Sequence, residues 1–258
     1  MTLTLGTGPL AETPGGALNF DLTSAPEHRI FFEAYPRRLR AVVGGTTILD
    51  TSDGMLLHET GHLPVPYVPL AALDDALLTR TSTSTHCPYK GDASYWTLTA
   101  GATALDDLVW AYESPLETAH WLRGYAALDL DRVDELYVED ERQLGHLRDP
   151  YHRVDALESS RHVRVTAHGE VVAESDRPVM VFETGLPPLA YLPRADVHPG
   201  VLAPSETRSV CPYKGEASYW NANGVADAAW SYETPLPEAM RAQGHVSFAG
   251  EGIEVTIS

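Results

Sequence analysis

The chain writes one long stretch of itself twice, and that repetition limits what it can fold into more than any other feature. CPYKGDASYW at residues 87–96 returns as CPYKGEASYW at 211–220, and Asp92 against Glu216 is the only difference. A shift of 124 residues also pairs Pro26, His28 and Arg29 with Pro150, His152 and Arg153. It pairs Glu59-Thr60-Gly61 with Glu183-Thr184-Gly185, and Tyr67 and Pro69 with Tyr191 and Pro193. No gap is needed from 26 to 97. Beyond the decapeptide the shift falls to 120, and WAYESPL at 110–116 meets WSYETPL at 230–236. A period this long is a domain duplication, not a solenoid. The organisation expected is a flexible, loosely held N-terminal arm (1–25), a first repeat (26–138), a charged linker (139–149) and a second repeat (150–258), the two repeats forming an intramolecular pseudo-dimer.

Each copy reads as mainly β. HVRVTAHGEVVAE (162–174) alternates apolar and polar residues on either side of His168-Gly169, and LRAVVGGTTILD turns in the same way at Gly44-Gly45, so both predict hairpins. PVMVFE, SVCPYKGEASYWN and the terminal GIEVTIS add short β-rich runs. PLETAHWLRG (115–124) and PLPEAMRAQG (235–244) run from Pro to Gly and predict one short helix per copy. The fold expected is two small antiparallel β domains.

Composition narrows the partners. A net charge of −18 repels phosphate backbones, and nucleic-acid affinity rests largely on neutralising them. The Arg37, Arg38, Arg40 cluster predicts a solvated strand edge. No apolar run approaches the roughly 20 residues a spanning helix needs, and the N-terminus has neither a basic region nor an apolar core of the signal type. An acidic cytoplasmic protein, with neither nucleic acid nor membrane as partner, is the expectation. The only cysteines, Cys87 and Cys211, occupy equivalent positions and predict no disulfide framework, metal site or cofactor.

The only lysines, Lys90 and Lys214, also stand in the decapeptide, against sixteen arginines. Lysine is a compact, titratable point charge where arginine is a planar fork. Three readings stay open: a structural buried ion pair, a ligand anchor, or a reactive amine. If the decapeptide is a strand, Lys214, Glu216, Ser218 and Trp220 share one face, as do Lys90, Asp92, Ser94 and Trp96. Glu59 and Glu183, Tyr67 and Tyr191, Trp110 and Tyr112, and Trp230 and Tyr232 recur around them and supply an aromatic wall with a few polar groups, the character of a small-molecule site. The catalytic candidates are Lys214, Glu216, Glu183, Lys90, Asp92 and Glu59, with Glu183 or Glu233 as general base if burial raises its pKa. Whether the chain is an enzyme stays open, and a non-catalytic interaction module or scaffold is the alternative.

The decapeptide, with FETGLPPLAYLPRADV before it and WSYETPLPEA after it, resembles the domain-of-unknown-function family 427. The likeness covers nearly all of 26–258, and the second copy follows the pattern more closely: Pro193-Arg194-Ala195-Asp196-Val197 stands where copy one has Pro69-Leu70-Ala71-Ala72-Leu73. The resemblance implies a β-tent fold and an aromatic pocket formed by Trp220, Trp230 and Tyr232. A nucleotidyltransferase label is sometimes attached to the family. Asp50 and Asp53 after Gly44-Gly45 lack the D-x-D spacing that it needs, so this reading ranks last.

Overall fold

A computed structural model describes residues 3–16, 19 and 25–258, and the chain divides into two compact units, one holding the first repeat up to Leu147 with Leu10–Glu12, the other holding Arg148–Ser258 with the arm up to Pro9 and Thr13–Gly15. In the first, β1 (Ile30–Tyr35), β2 (Leu39–Val43), β3 (Thr46–Thr51), β4 (Gly54–Glu59), β5 (Val65–Pro69), β6 (Leu78–Cys87), β7 (Gly91–Ala100), β8 (Thr103–Ala111), β9 (Tyr125–Leu128), β10 (Glu135–Val138) and β11 (Glu141–Arg142) build two antiparallel sheets. One has the order β1-β4-β5-β9-β8-β7-β6 and the other β11-β10-β2-β3.

The second unit holds β12 (Val154–Glu158), β13 (Val163–Ala167), β14 (Glu170–Ser175), β15 (Val179–Glu183), β16 (Leu189–Tyr191), β17 (Leu202–Cys211), β18 (Gly215–Ala222), β19 (Val225–Tyr232), β20 (Val246–Phe248) and β21 (Ile253–Ile257). Its large sheet is split into β12-β15-β16 and β17-β18-β19-β20. The backbone of Leu192 and Val246 exchanges two hydrogen bonds, of 2.8 and 2.9 Å, and links the pieces into the order seen in the first unit. The small sheet β14-β13-β21 matches β3-β2-β10.

The hairpins expected from pattern are present. β13 and β14 turn through His168 (φ 50°) and Gly169 (φ 84°), β2 and β3 through Gly44 and Gly45 (φ 58° and 74°). Positive φ at both central residues is the twist a two-residue hairpin needs. A Cβ on Gly44 would stand 2.9 Å from the Ala100 carbonyl oxygen, so glycine is required there by space as well. β2 and β13 alternate inward and outward residues. Leu39, Ala41 and Val43 pack on Leu98, Leu108 and Val109, while Val163, Val165 and Ala167 pack on Ala222, Ala229 and Phe248. Each small sheet therefore covers one face of its large sheet.

The two predicted helices are short 3-10 segments, Glu117–Leu122 and Pro237–Ala242. The first is broken at Ala119 by a non-helical φ/ψ, and the eight residues between Pro and Gly are too few to establish an α-helix. The four residues absent from copy two come from the hairpin between the conserved tryptophans. Trp96 faces Val109 in copy one and Trp220 faces Ala229 in copy two. Two residues lost from each strand leave the facing of every side chain unchanged.

Candidate functional site

The decapeptide begins with a tight turn, not a strand. Cys87 pairs with Gly91 and Cys211 with Gly215 across the β6–β7 and β17–β18 hairpins. Lys90 and Lys214 therefore stand in the turns, before the strands start. Gly91 (φ 104°) and Gly215 (φ 99°) take a backbone conformation that L side chains rarely adopt. The Ser114–Leu116 and Thr234–Leu236 backbones also approach them closely. The Leu116 amide donates to the Lys90 carbonyl and the Leu236 amide to that of Lys214, each at 3.0 Å. The P-L of the WxYExPL motif thus clips the turn of the decapeptide, which joins the two strongest repeated motifs in one contact.

The turn aims each lysine at the E-T-G triplet. The Lys90 ammonium donates to Glu59 Oε2, and Lys214 does the same to Glu183. The other carboxylate oxygen bonds a histidine: His28 Nε2 lies 3.0 Å from Glu59 Oε1, and His152 Nε2 lies 3.0 Å from Glu183 Oε1. Strand register delivers the histidines, because Ile30 faces Glu59 and Val154 faces Glu183. Each repeat thus carries a Lys–Glu–His triad. Tyr89 stacks on His28 at 4.3 Å, and Tyr213 tilts over His152 at 4.1 Å.

Burial would raise the Glu183 carboxyl, but hydrogen bonds from His152 and Lys214, with their charges, outweigh it and hold the group at about 2. Glu59 is also held below the usual range: burial works against this, while Lys90 and His28 together prevail. Lys90, Lys214 and Glu183 are some nine-tenths enclosed. A carboxylate this weakly basic and doubly hydrogen-bonded is suited to holding charge in place, not to abstracting protons.

Beside each triad lies an aromatic cluster. Trp230 Nε1 donates to the Tyr191 hydroxyl at 2.9 Å, and the rings of Tyr191, Tyr219, Trp230 and Tyr232 follow one another with centroids 6.3 to 6.5 Å apart. In the first repeat Tyr67 and Tyr112 are buried with Ala93 and Leu57, and Trp110 packs at the edge. The Lys90 ammonium stands 5.5 Å from the Tyr112 ring. Burial pushes the hydroxyls of Tyr67, Tyr112, Tyr191 and Tyr232 well above the ordinary tyrosine value.

The remaining candidates separate from this group. Glu216 is exposed and lies opposite Val210, while Asp92 bonds His86 Nδ1 at 2.7 Å. The expected Lys214–Glu216 and Lys90–Asp92 neighbours are therefore not formed, because a lysine in the turn is outside the strand's alternation. Trp96 and Trp220 point to the opposite face of their sheets and pack against the main cores. Ser94 and Ser218 fall on the same face of the strand as these tryptophans. Trp220 is thus parted from Trp230 and Tyr232. The Arg38 guanidinium pairs with Asp50 through two 2.6 Å hydrogen bonds, so this arginine is not an open anion site.

Sequence reasoning did not place His28, His152, Tyr89 or Tyr213 in the site. The signal was present: H-R recurs at the same 124-residue shift as E-T-G. A hollow of about 430 Å³ opens beside the first triad, lined by Glu12, Glu27, His28, Arg29, Thr60 and Tyr89. Among the described residues, no group of three or more His, Cys, Asp or Glu side chains is arranged to hold a metal ion, and no helix is long and apolar enough to cross a membrane.

Comparison with protein families agrees with the duplication. The model of the domain of unknown function DUF427 matches twice, over residues 31–139 and 155–258, and the chain belongs to that family as a tandem of two copies. No curated protein matches the chain.

Proposed function

We propose that the chain is a non-catalytic binding protein, and that the hollow beside His28 in the first repeat takes a small polar molecule. The observation that carries the reading is this hollow itself, where the outer edge of the first triad meets a half-exposed aromatic ring. The Lys90–Glu59 pair forms its rigid floor support. It holds the His28 ring in one orientation, and the Tyr89 ring offers an apolar face beside Thr60 and the carboxylates of Glu12 and Glu27. A few convergent polar groups around an aromatic surface are the usual character of such sites. The lysines act here through His28 and not by touching a ligand, which places the ion-pair reading above the anchor and the reactive amine.

The second repeat supports a division of labour. Its Tyr213 is buried, where Tyr89 is 42% exposed. The Asp149 amide donates to the Tyr213 hydroxyl at 2.7 Å, and burial raises that hydroxyl to about 12. Ala25 stands where the second copy has Asp149. The test is a thermal-shift screen of polar metabolites against the wild type, His28→Ala and Tyr89→Ser. Compounds that raise the wild-type transition should lose their effect in both variants. A screen without hits, or hits that both variants retain, overturns the reading.

A further inference from the structure

The N-terminal arm lies outside both repeats, yet its contacts fall on equivalent surfaces of each. In the first unit the Thr60 hydroxyl donates to the Leu10 carbonyl at 2.9 Å. Arg29 Nη1 donates to the Ala11 carbonyl at 2.9 Å and reaches the Leu10 carbonyl at 3.5 Å. Ala11 is 1% exposed. These bonds go to main-chain carbonyls at the tip of a bent loop, which the Gly15 amide closes on the Thr7 carbonyl at 3.0 Å, so they read a backbone bend and not a side-chain sequence. The one side-chain demand is smallness at the buried position.

In the second unit Tyr151, Thr184 and Gly185 border a cavity of about 270 Å³ whose other walls are Leu3, Thr7, Gly8 and Pro9. Thr184 and Gly185 are the counterparts of Thr60 and Gly61, and Thr4 is fully buried. Two arm stretches of different sequence thus lie against one kind of loop pair. Arg153, the counterpart of Arg29, is 79% exposed and turns to Asp155 at 2.8 Å. Among the described residues it holds no arm carbonyl.

We infer that the loop pair formed by His28-Arg29 and Glu59-Thr60-Gly61 is a binding surface for a bent peptide loop with a small side chain between two presented carbonyls, and that the arm segment Leu10–Glu12 is its built-in occupant. The inference stands whether or not a small molecule enters the neighbouring hollow. It does connect the two, because Glu12 forms one wall of that hollow. A tethered occupant competes at an effective concentration in the millimolar range for a short linker, so a partner peptide binds the intact chain weakly until the arm is displaced.

The test uses the full-length chain and a fluorescent synthetic peptide of residues 3–16, LTLGTGPLAETPGG. Ala11→Arg cannot be accommodated at a 1% exposed position and expels the segment. By anisotropy the peptide should bind the Ala11→Arg chain at least ten-fold more tightly than the wild type. Adding Arg29→Ala should lower that affinity again by ten-fold or more, and a scrambled peptide should not bind. Equal affinity for wild type and Ala11→Arg, or no binding by an Ala11→Arg chain whose near-ultraviolet circular dichroism is native, overturns the inference. A second readout does not depend on that variant. Cleavage after Glu12 by a glutamate-specific protease should accelerate ten-fold or more in Arg29→Ala/Thr60→Val, and an unchanged rate refutes the clamp.

Discussion

Replacing Lys214 by Met removes the ammonium from a carboxylate that is 9% exposed and keeps the apolar stem. The structure sets the magnitude. Glu183 falls from an ordinary 4.5 to about 2 on folding, and at about 1.4 kcal/mol per unit the partners favour its charged form by about 3 kcal/mol net of the burial penalty. Mutational experience with one partner of a buried pair removed is similar, about 3–5 kcal/mol. The His152 hydrogen bond survives the substitution, so the lower end applies.

The pH dependence has a definite sign. A carboxyl whose pKa is lowered by folding stabilises the fold above its unfolded value, and that stability is lost as the pH falls through the folded value. For Glu183 the window runs from about 4.5 down to about 2. In Lys214→Met, burial without the ammonium moves the carboxyl upward, so protonation relieves the variant. The gap between wild type and variant should therefore be largest at pH 7 and narrow steadily below pH 5. Urea denaturation followed by tryptophan fluorescence at pH 7, 5 and 4 measures it, with Lys90→Met as the matching change in the first repeat. Adding Glu183→Gln to Lys214→Met should recover part of the loss, since the stranded charge is gone. A Lys214→Met variant within about 0.5 kcal/mol of wild type at pH 7, where ordinary surface substitutions fall, would refute the ion pair as a structural pin. So would a gap that does not change between pH 7 and pH 4.

Two further outcomes follow from local geometry. Gly215→Ala forces a side chain into φ 99° with its Cβ 3.4 Å from the Thr234 carbonyl oxygen; the urea midpoint should fall by an amount equivalent to about 1–3 kcal/mol, the usual cost of such backbone strain. His162 bonds Asp176 at 2.7 Å and Glu174 at 3.0 Å, and the Asp176 hydrogen bond raises its pKa. Its ring resonances should therefore titrate above 6.5 in two-dimensional NMR, its stabilising effect being complete below that value and lost as pH rises through the folded one. Asp176→Asn should bring the midpoint down.

The duplication, both hairpins and the helical positions could be read from the sequence because they rest on local signals: periodicity, Gly pairs, and Pro-to-Gly spacing. The triad was legible only in part. The repeat singles out both Lys214 and Glu183, but strand alternation sets Lys214 beside Glu216, two residues away. Period-2 alternation starts only where a strand starts, and Gly215 ends a turn. Which carboxylate an ammonium in a turn meets is decided by where the β17–β18 turn packs, and Glu183 on β15 is 31 residues distant in sequence. Asp92 and Glu216 can differ because both face outward. The lysine, glutamate and histidine do not differ between the copies, because each occupies an enclosed position that the other two define. The Gly/Pro/Thr punctuation of the arm reads as a loosely held segment. Apolar residues too few to form a pattern gave no sign that Thr4 and Ala11 are buried.

The two copies also show one contact kept while its residue moved. In the second repeat the Arg194 guanidinium covers the Trp220 ring at 4.3 Å, bonds Ser231 at 3.0 Å and pairs with Glu233. Copy one has Leu70 at the matching position and keeps Trp96 and Glu113. There Arg80, on β6, reaches the Trp96 ring at 5.6 Å and pairs with Glu113 at 2.6 Å. Its own counterpart in copy two is Pro204, which faces Trp220 across the β17–β18 ladder as Arg80 faces Trp96. A cation over this tryptophan is thus supplied from two different strand neighbourhoods. If that contact, and not the position, is what the fold requires, moving the arginine should restore it. Arg194→Leu should lower stability by about 1–2 kcal/mol, the sum of a half-exposed cation–π contact and a surface ion pair. Adding Pro204→Arg should return at least half of it in urea denaturation. If Pro204→Arg has the same effect with and without Arg194, the two arginines are unrelated surface charges, and the apparent relocation is coincidence.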